Sequence, residues 1–337
     1  MVDWREGPWP LDWSGIFGRV APLALEIGFG NGEFLVDQAR RLPERNHVGL
    51  ELSWSAASRL LQRLVVARTP HVRAVLADAE VALQRLFATE SLAEVFVNHP
   101  CPWPKARHHA RRLLHPGGLA LLADRMRAGA KLTVVTDHAE YAAWLADALG
   151  SQHALGSCHP GIEAPEPLDR RATKYQRKAM AQGVPIHYFE WRKESAPLEL
   201  RLPSDPPGPM PSLTLKGPYD ERKLFEGFRP ELLRETRAGA EVAVRLLDVF
   251  QRLGAAGWLV EALVLEDRLR QQFAILVVPR SSDELLVKLA DLARPYPTYG
   301  VKRALASVVR WLVARHPDIR IAHHNLGPEI LPAAAEA

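Results

Sequence analysis

The sequence predicts an α/β chain in which an open, doubly wound parallel sheet is followed by a second, smaller α+β domain. Three observations predict it. Short apolar runs alternate with helical stretches from residue 23 to about residue 149, the pattern of a parallel sheet covered by helices. Five of the nine residues 203–211 are proline, and such a stretch can make neither a helix nor a central strand, so the chain divides there. Beyond it, apolar runs at 258–265 and 273–278 flank the polar segment 266–270 in the manner of a hairpin.

Taken in order, residues 1–20 form an N-terminal arm, with Trp4, Trp9 and Trp13 set among Pro8 and Pro10 so as to lie against the first domain. The first domain, 21–195, has expected strands at 23–27, 47–50, 72–76, 93–97 and 131–135, and helices at 33–41, 55–67, 79–87 and 139–149. A Pro-rich linker covers 196–211. In the second domain, 212–337, a strand at 213–215 precedes a helix at 238–253, the hairpin, helices at 284–293 and 301–315, and a strand at 319–322. That order suits a ferredoxin-like α+β sandwich.

The 337 residues have room for about two domains. With 47% hydrophobic and 24% charged residues, composition excludes a disordered or collagen-like chain. Lys and Arg number 43 against 39 Asp and Glu, so the net charge of +4 matters only where it is clustered. Two cysteines, Cys101 and Cys158, cannot staple a chain this long and provide no metal site alone. The start carries Asp3, Arg5 and Glu6, unlike a secretory signal, and no uncharged apolar run reaches membrane-spanning length. A cytoplasmic protein without a membrane span or metal is expected.

The first strand runs into Glu26-Ile27-Gly28-Phe29-Gly30-Asn31-Gly32, and a helix begins at Glu33. A plain turn needs one glycine; glycines at 28, 30 and 32 let the backbone approach a ligand with no Cβ in the way. A dinucleotide loop wants a third small residue where this chain has Glu33, whose carboxylate would repel a pyrophosphate. S-adenosylmethionine carries no phosphate and bears a positive ammonium and sulfonium, which suits Glu26. Glu51, closing the second strand, is placed to accept ribose hydroxyls, and Asp78, after the third, to accept from the adenine amino group. Three carboxylates past three strand ends favour the methyl donor over a nicotinamide cofactor.

After the fourth strand comes Asn98-His99-Pro100-Cys101-Pro102-Trp103-Pro104-Lys105, then Arg107, Arg111 and Arg112, with no acid between 99 and 112. A stiff Pro-Trp loop joined to a basic stretch favours an anionic polymer that carries bases. Residues 170–178 add Arg170, Arg171, Lys174, Arg177 and Lys178, again without an acid. On the helix at 301–315, Lys302, Arg303, Arg310 and Arg315 beside Trp311 fit either a surface helix or an auxiliary contact to the same polymer.

Three ordered motifs carry a family resemblance across about residues 21–193: Pro100 to His108, Thr136-Asp137-His138-Ala139-Glu140-Tyr141, and Thr173-Lys174-Tyr175-Gln176. They resemble the P-D-P-W-P-K-x-R-H, T-D-x-x-x-Y and T-x-[FY]-E segments of bacterial tRNA (guanine-N7)-methyltransferases. The resemblance implies a Rossmann-like methyltransferase sheet, S-adenosylmethionine as cofactor, tRNA as partner and transfer to guanine N7. It implies substrate contacts at Lys105, Asp137, Thr173, Lys174, Tyr175 and Gln176, an RNA rim at Arg107, Arg111, Arg112, Arg170 and Arg171, and catalytic positions at Cys101 and Asp137. The family's acids at positions 101 and 176 are here Cys101 and Gln176. Guanine N7 needs in-line placement more than a base, and carboxylates would stabilise the cationic product. Of the three acidic positions Asp137 alone keeps its charge, which sets an active enzyme against a tRNA-binding relative that has lost transfer.

Overall fold

The computed structural model describes residues 1–5, 8–167, 171–194, 210–237, 240–266, 268–292 and 295–331. The chain forms two compact units, residues 1–204 and 205–337. The expected linker lies, up to residue 209, outside the described residues, as does Arg170.

The first unit contains α1 (Trp13–Phe17), β1 (Leu23–Ile27), α2 (Glu33–Arg41), β2 (Asn46–Glu51), α3 (Trp54–Ala67), β3 (Val72–Leu76), α4 (Ala79–Arg85), β4 (Leu92–Asn98), α5 (Pro116–Arg125), β5 (Met126–Thr136), α6 (Ala139–Gly150), β6 (Leu155–Ser157), α7 (Lys174–Ala181) and β7 (His187–Lys193). Its sheet runs β3-β2-β1-β4-β5-β7-β6. β1 to β5 are parallel, and β7 lies antiparallel to both β5 and β6. All five residues of β1 are buried, as a strand covered on both faces requires. Because the chain winds outward from β1 to β3 and returns to β4, a crevice opens where β1 and β4 end. At the N-terminus the Trp4 indole donates to Leu76 O at 2.9 Å, and Trp13 donates to Leu86 O and stacks on Phe87 at 5.2 Å.

The second unit contains β8 (Ser212–Lys216), β9 (Glu231–Arg237), β10 (Ala240–Gln251), β11 (Trp258–Glu266), β12 (Leu269–Ser281), β13 (Glu284–Leu289), α8 (Tyr299–Arg315) and β14 (Arg320–His324). Its sheet runs β14-β8-β13-β12-β11-β10-β9, each neighbouring pair antiparallel. The hairpin of β11 and β12 and the helix α8 agree with the sequence reading; two expected helices do not. Residues expected to be helical at 238–253 and 284–293 form β10 and β13, so the unit is not ferredoxin-like. The physical reason is an alternation of two: Val242, Val244 and Leu246 are buried on β10, and Leu285, Val287 and Leu289 on β13. Adjacent Leu246-Leu247 and Leu285-Leu286 also satisfy a helical period, and pairing of each strand on both sides decides between them. On α8, Arg303 is held by both oxygens of Glu235 at 2.9 and 3.1 Å, and Trp311 stacks on Phe225 at 5.4 Å. Two residues of the supposed auxiliary RNA contact are thus committed within the unit.

Candidate active site

The site is assembled where β1, β2, β4 and β5 end. After β1, Gly28, Gly30 and Gly32 take φ of 75°, 55° and 75°. A Cβ on Gly28 or Gly30 would meet nothing within 4 Å, whereas one on Gly32 would lie 2.5 Å from Leu60. The first two glycines therefore leave an open cradle, and the third permits α2 to approach α3. Glu51 ties this loop to β2: its Oε2 accepts from Gly30 N at 3.1 Å, and its Oε1 accepts from Leu52 N and Ser53 N at 3.0 and 3.1 Å. A carboxylate has about four acceptor positions, so Oε2 keeps one for a ligand hydroxyl. Asp78 caps α4, its Oδ1 accepting from Glu80 N and Val81 N at 3.0 and 3.2 Å, so that Oδ2 takes no part in the cap. Glu26 is only 2% exposed and accepts from Asn98 Nδ2 at 2.9 Å, joining the ends of β1 and β4.

These features fit S-adenosylmethionine. The glycine cradle is open at Gly28 and Gly30, acceptors stand at the ends of β2 and β3, and a buried carboxylate rather than a phosphate-binding donor lies at the end of β1. Glu33 is answered in place: Arg177 on α7 donates to it at 2.8 Å and Arg63 on α3 at 3.1 Å. The Arg177 hydrogen bond, aided by the charge of Arg63 and against partial burial, holds the Glu33 carboxyl below its ordinary range.

The Pro-Trp loop leaves β4 through two left-handed residues, His99 with φ 49° and Trp103 with φ 43°. Non-glycine residues persist there only where surroundings over-determine them. His99 N donates to Val135 O at 2.7 Å, its Nδ1 lies 3.2 Å from Asp137 Oδ1, and its ring lies 5.9 Å from that of Tyr175 on α7. All three motifs thus meet at His99, which the sequence reading left without a role. A histidine directly after a strand and before proline was visible, but a partner 38 residues away was not.

Cys101 is exposed, as are Arg107, Arg111 and Arg171 of the expected rim and Lys105, Lys174 and Tyr175 of the expected substrate contacts. Three expectations are corrected by burial. Arg112 is 1% exposed and is no part of the rim. It donates to Pro102 O at 2.8 Å and Trp103 O at 3.4 Å, while its guanidinium lies over Trp144 at 4.6 Å. Arg112 therefore anchors the Pro-Trp loop from beneath, and Arg111, 5.1 Å over Trp103, takes the outer side. Gln176 is buried and donates to Tyr188 Oη at 2.7 Å, so its amide supports α7 from inside. Thr173 is the buried N-cap of α7, its hydroxyl accepting from Gln176 N at 3.1 Å. Among the described residues, no group of His, Cys, Asp and Glu is arranged to hold a metal ion.

Against known proteins, residues 20–189 match the family described as "Putative methyltransferase". A tRNA (guanine-N(7)-)-methyltransferase of Mycolicibacterium paratuberculosis is 40% identical over 187 residues, covering 56% of this chain and 72% of that protein. Its counterpart in Halorhodospira halophila is 36% identical over 199 residues, covering 56% of this chain and 86% of that protein. That of Cutibacterium acnes is 35% identical over 185 residues, covering 54% and 67%. With its glycine cradle, acidic strand ends and Pro-Trp loop in a doubly wound sheet, the chain belongs to the tRNA (guanine-N(7)-)-methyltransferase family.

Proposed function

We propose that this protein is an S-adenosylmethionine-dependent enzyme that methylates N7 of a guanine in tRNA. The observation that carries the proposal is the meeting of the glycine loop, the Pro-Trp loop, Asp137 and α7 at one end of the parallel sheet. S-adenosylmethionine, when bound, supplies a methyl group on a positive sulfonium. Gly28 and Gly30 would admit it, the remaining lone pair of Glu51 Oε2 would accept a ribose hydroxyl, and Asp78 Oδ2 the adenine amino group. Glu26 supplies negative charge where the donor's cationic end would lie.

Guanine N7 attacks through an in-plane lone pair and has no proton to lose, so the protein needs no general base. Its task is placement and stabilisation of the positive charge that the purine acquires. Asp137 is the carboxylate suited to it, its Oδ1 held by His99 and its side chain 39% exposed. Lys105, Arg107, Arg111 and Arg171 would neutralise tRNA phosphates around the site, and Trp103 and Tyr175 offer ring faces to bases. Arg170 belongs to the same basic segment. No described helix is long and apolar enough to cross a membrane. A cytoplasmic location, where tRNA is at hand, goes with this reading.

The test is incubation with unmodified tRNA and labelled donor, followed by mass spectrometry of the nucleosides. 7-Methylguanosine is the expected product. Tight tRNA binding with no methylated nucleoside would make the protein a non-catalytic relative, and a different methylated nucleoside would move the reaction to another atom or base.

A further inference from the structure

We propose, building on the guanine transfer proposed above, that His99 is the positioning residue of the guanine site: its imidazole holds Asp137 aimed at the N1 and N2 edge of the base. Asp137 follows the last residue of β5, and His99 is its one hydrogen-bond partner among the described residues. An ionised carboxylate can only accept, so Nδ1 of His99 carries the proton in that bond. Without it the carboxylate, 39% exposed, is free to turn into water and lose the preorganisation that makes a charge useful to a developing cation.

His99 can impose this direction because it is itself held. Its side chain is 5% exposed, its amide is bonded to Val135 O, its backbone is left-handed, and Pro100 stiffens the chain that follows. The ring also faces Tyr175, so the same residue spaces the carboxylate from the exposed aromatic on α7. With Cys101 exposed and Gln176 turned inward, none of the other acidic motif positions offers a carboxylate to this edge. Asp137 therefore carries the recognition of N1–H and the 2-amino group, and His99 carries the aim of Asp137.

Three variants test it on a tRNA transcript whose methylated guanine has been mapped with the parent protein, and on the same transcript with inosine, which lacks the 2-amino group, at that position. His99→Phe keeps a ring beside Tyr175 but removes the donor. His99→Asn places an amide N–H near the place of Nδ1 and tolerates left-handed backbone. Asp137→Asn removes the charge without touching His99. The expected result is a single-turnover rate lowered about tenfold or more in His99→Phe, as loss of a hydrogen bond to a charged group implies, with KM for tRNA within about twofold of the parent. The preference for guanine over inosine should fall with it. His99→Asn should retain most of the rate and the preference. Asp137→Asn should reproduce the His99→Phe signature, and the double variant should be little worse than either single one.

A His99→Phe protein with parental rate and preference would overturn the proposal. So would a well-folded His99→Asn protein as slow as His99→Phe. If His99→Phe fails to melt cooperatively, the comparison of His99→Asn with Asp137→Asn decides: both impaired alike overturns it, and only Asp137→Asn impaired supports it. A parent that forms no 7-methylguanosine on any tRNA would remove the proposed function, and this role with it.

Discussion

Glu51→Gln is expected to weaken binding of the methyl donor about ten- to hundredfold while leaving the sheet intact. In the native protein one carboxylate accepts three backbone N–H groups, from Gly30, Leu52 and Ser53, at 3.0 to 3.1 Å. An amide has a single oxygen. If it faces Leu52 and Ser53, its NH2 meets the N–H of Gly30; if it faces Gly30, the NH2 meets the other two. Either way a donor confronts a donor, and the surviving bonds are no longer made to a charge. Hydrogen bonds to charged groups contribute about 1.5 to 3 kcal/mol each against about 1 for neutral ones, and a frustrated donor costs about 1 to 3 kcal/mol. The loop is at the surface and can relax, so about 1.5 to 3 kcal/mol is the expected loss in binding, a tenfold change for every 1.4. The free ribose acceptor on Oε2 is lost in the same substitution if the amide turns inward. Calorimetric titration with S-adenosylmethionine measures the affinity, and amide exchange at Gly30 reports the loop. Affinity within twofold of the parent, with Gly30 protected as before, would refute the assignment of Glu51 to the cofactor loop.

Burial depresses His47, packed against Leu42 O and 5.8 Å from His71, from the ordinary 6.5 to about 4. The unfolded chain therefore takes up that proton first, and stability should fall as pH drops from 6.5 to 4, by about 3 kcal/mol in all. His47→Gln should flatten the urea-unfolding midpoint over that window, and an unchanged slope would show that other groups carry it. Arg112→Ala should destabilise the Pro-Trp loop, unstacking Trp144 and freeing the carbonyls of Pro102 and Trp103, so that tRNA turnover falls while donor affinity, set at β1 and β2, is retained. Charge reversal at Arg111 and Arg171, both exposed, should weaken tRNA binding broadly and lower its dependence on salt by about one counterion for each lost phosphate contact; binding indifferent to salt would remove the basic rim from the model of recognition. Cys101→Asp should raise the single-turnover rate by placing a second carboxylate at the mouth of the site, and a loss of rate instead would give the thiol a role of its own.

What could be read from the sequence follows from how local each signal is. Five strands of the first unit were legible because Leu23 to Ile27 and its neighbours are apolar runs closed by turn residues, and the cradle because three glycines on alternate positions have few other uses. Glu51 and Asp78 were legible as strand-end acids, although not that each also bonds backbone amides. Arg112 was misread because charge density along the chain says nothing of which guanidinium folds under Trp103 and Trp144. The role of His99 is not legible locally because it lies in Asp137 and Tyr175, which the fold brings to it. β10 is ambiguous because Val242, Val244 and Leu246 follow a period of two while Val242, Leu246 and Val249 follow a helical i, i+4, i+7 spacing, and only pairing with β9 and β11 resolves the choice.

The ion pair between Glu33 and Arg177 joins the first turn of the helix that follows the cradle to the helix carrying Tyr175. A ligand that orders one helix should therefore favour order in the other, by no more than the roughly 1 kcal/mol that a partly exposed ion pair contributes. Thermodynamic linkage then requires reciprocity: whatever factor the methyl donor adds to tRNA affinity, tRNA must add to donor affinity. It also makes the spent cofactor informative, since its release should loosen the grip on the methylated product, so that the two leave in a coupled order rather than independently. On that linkage the state of one ligand would be felt by the other across a single carboxylate.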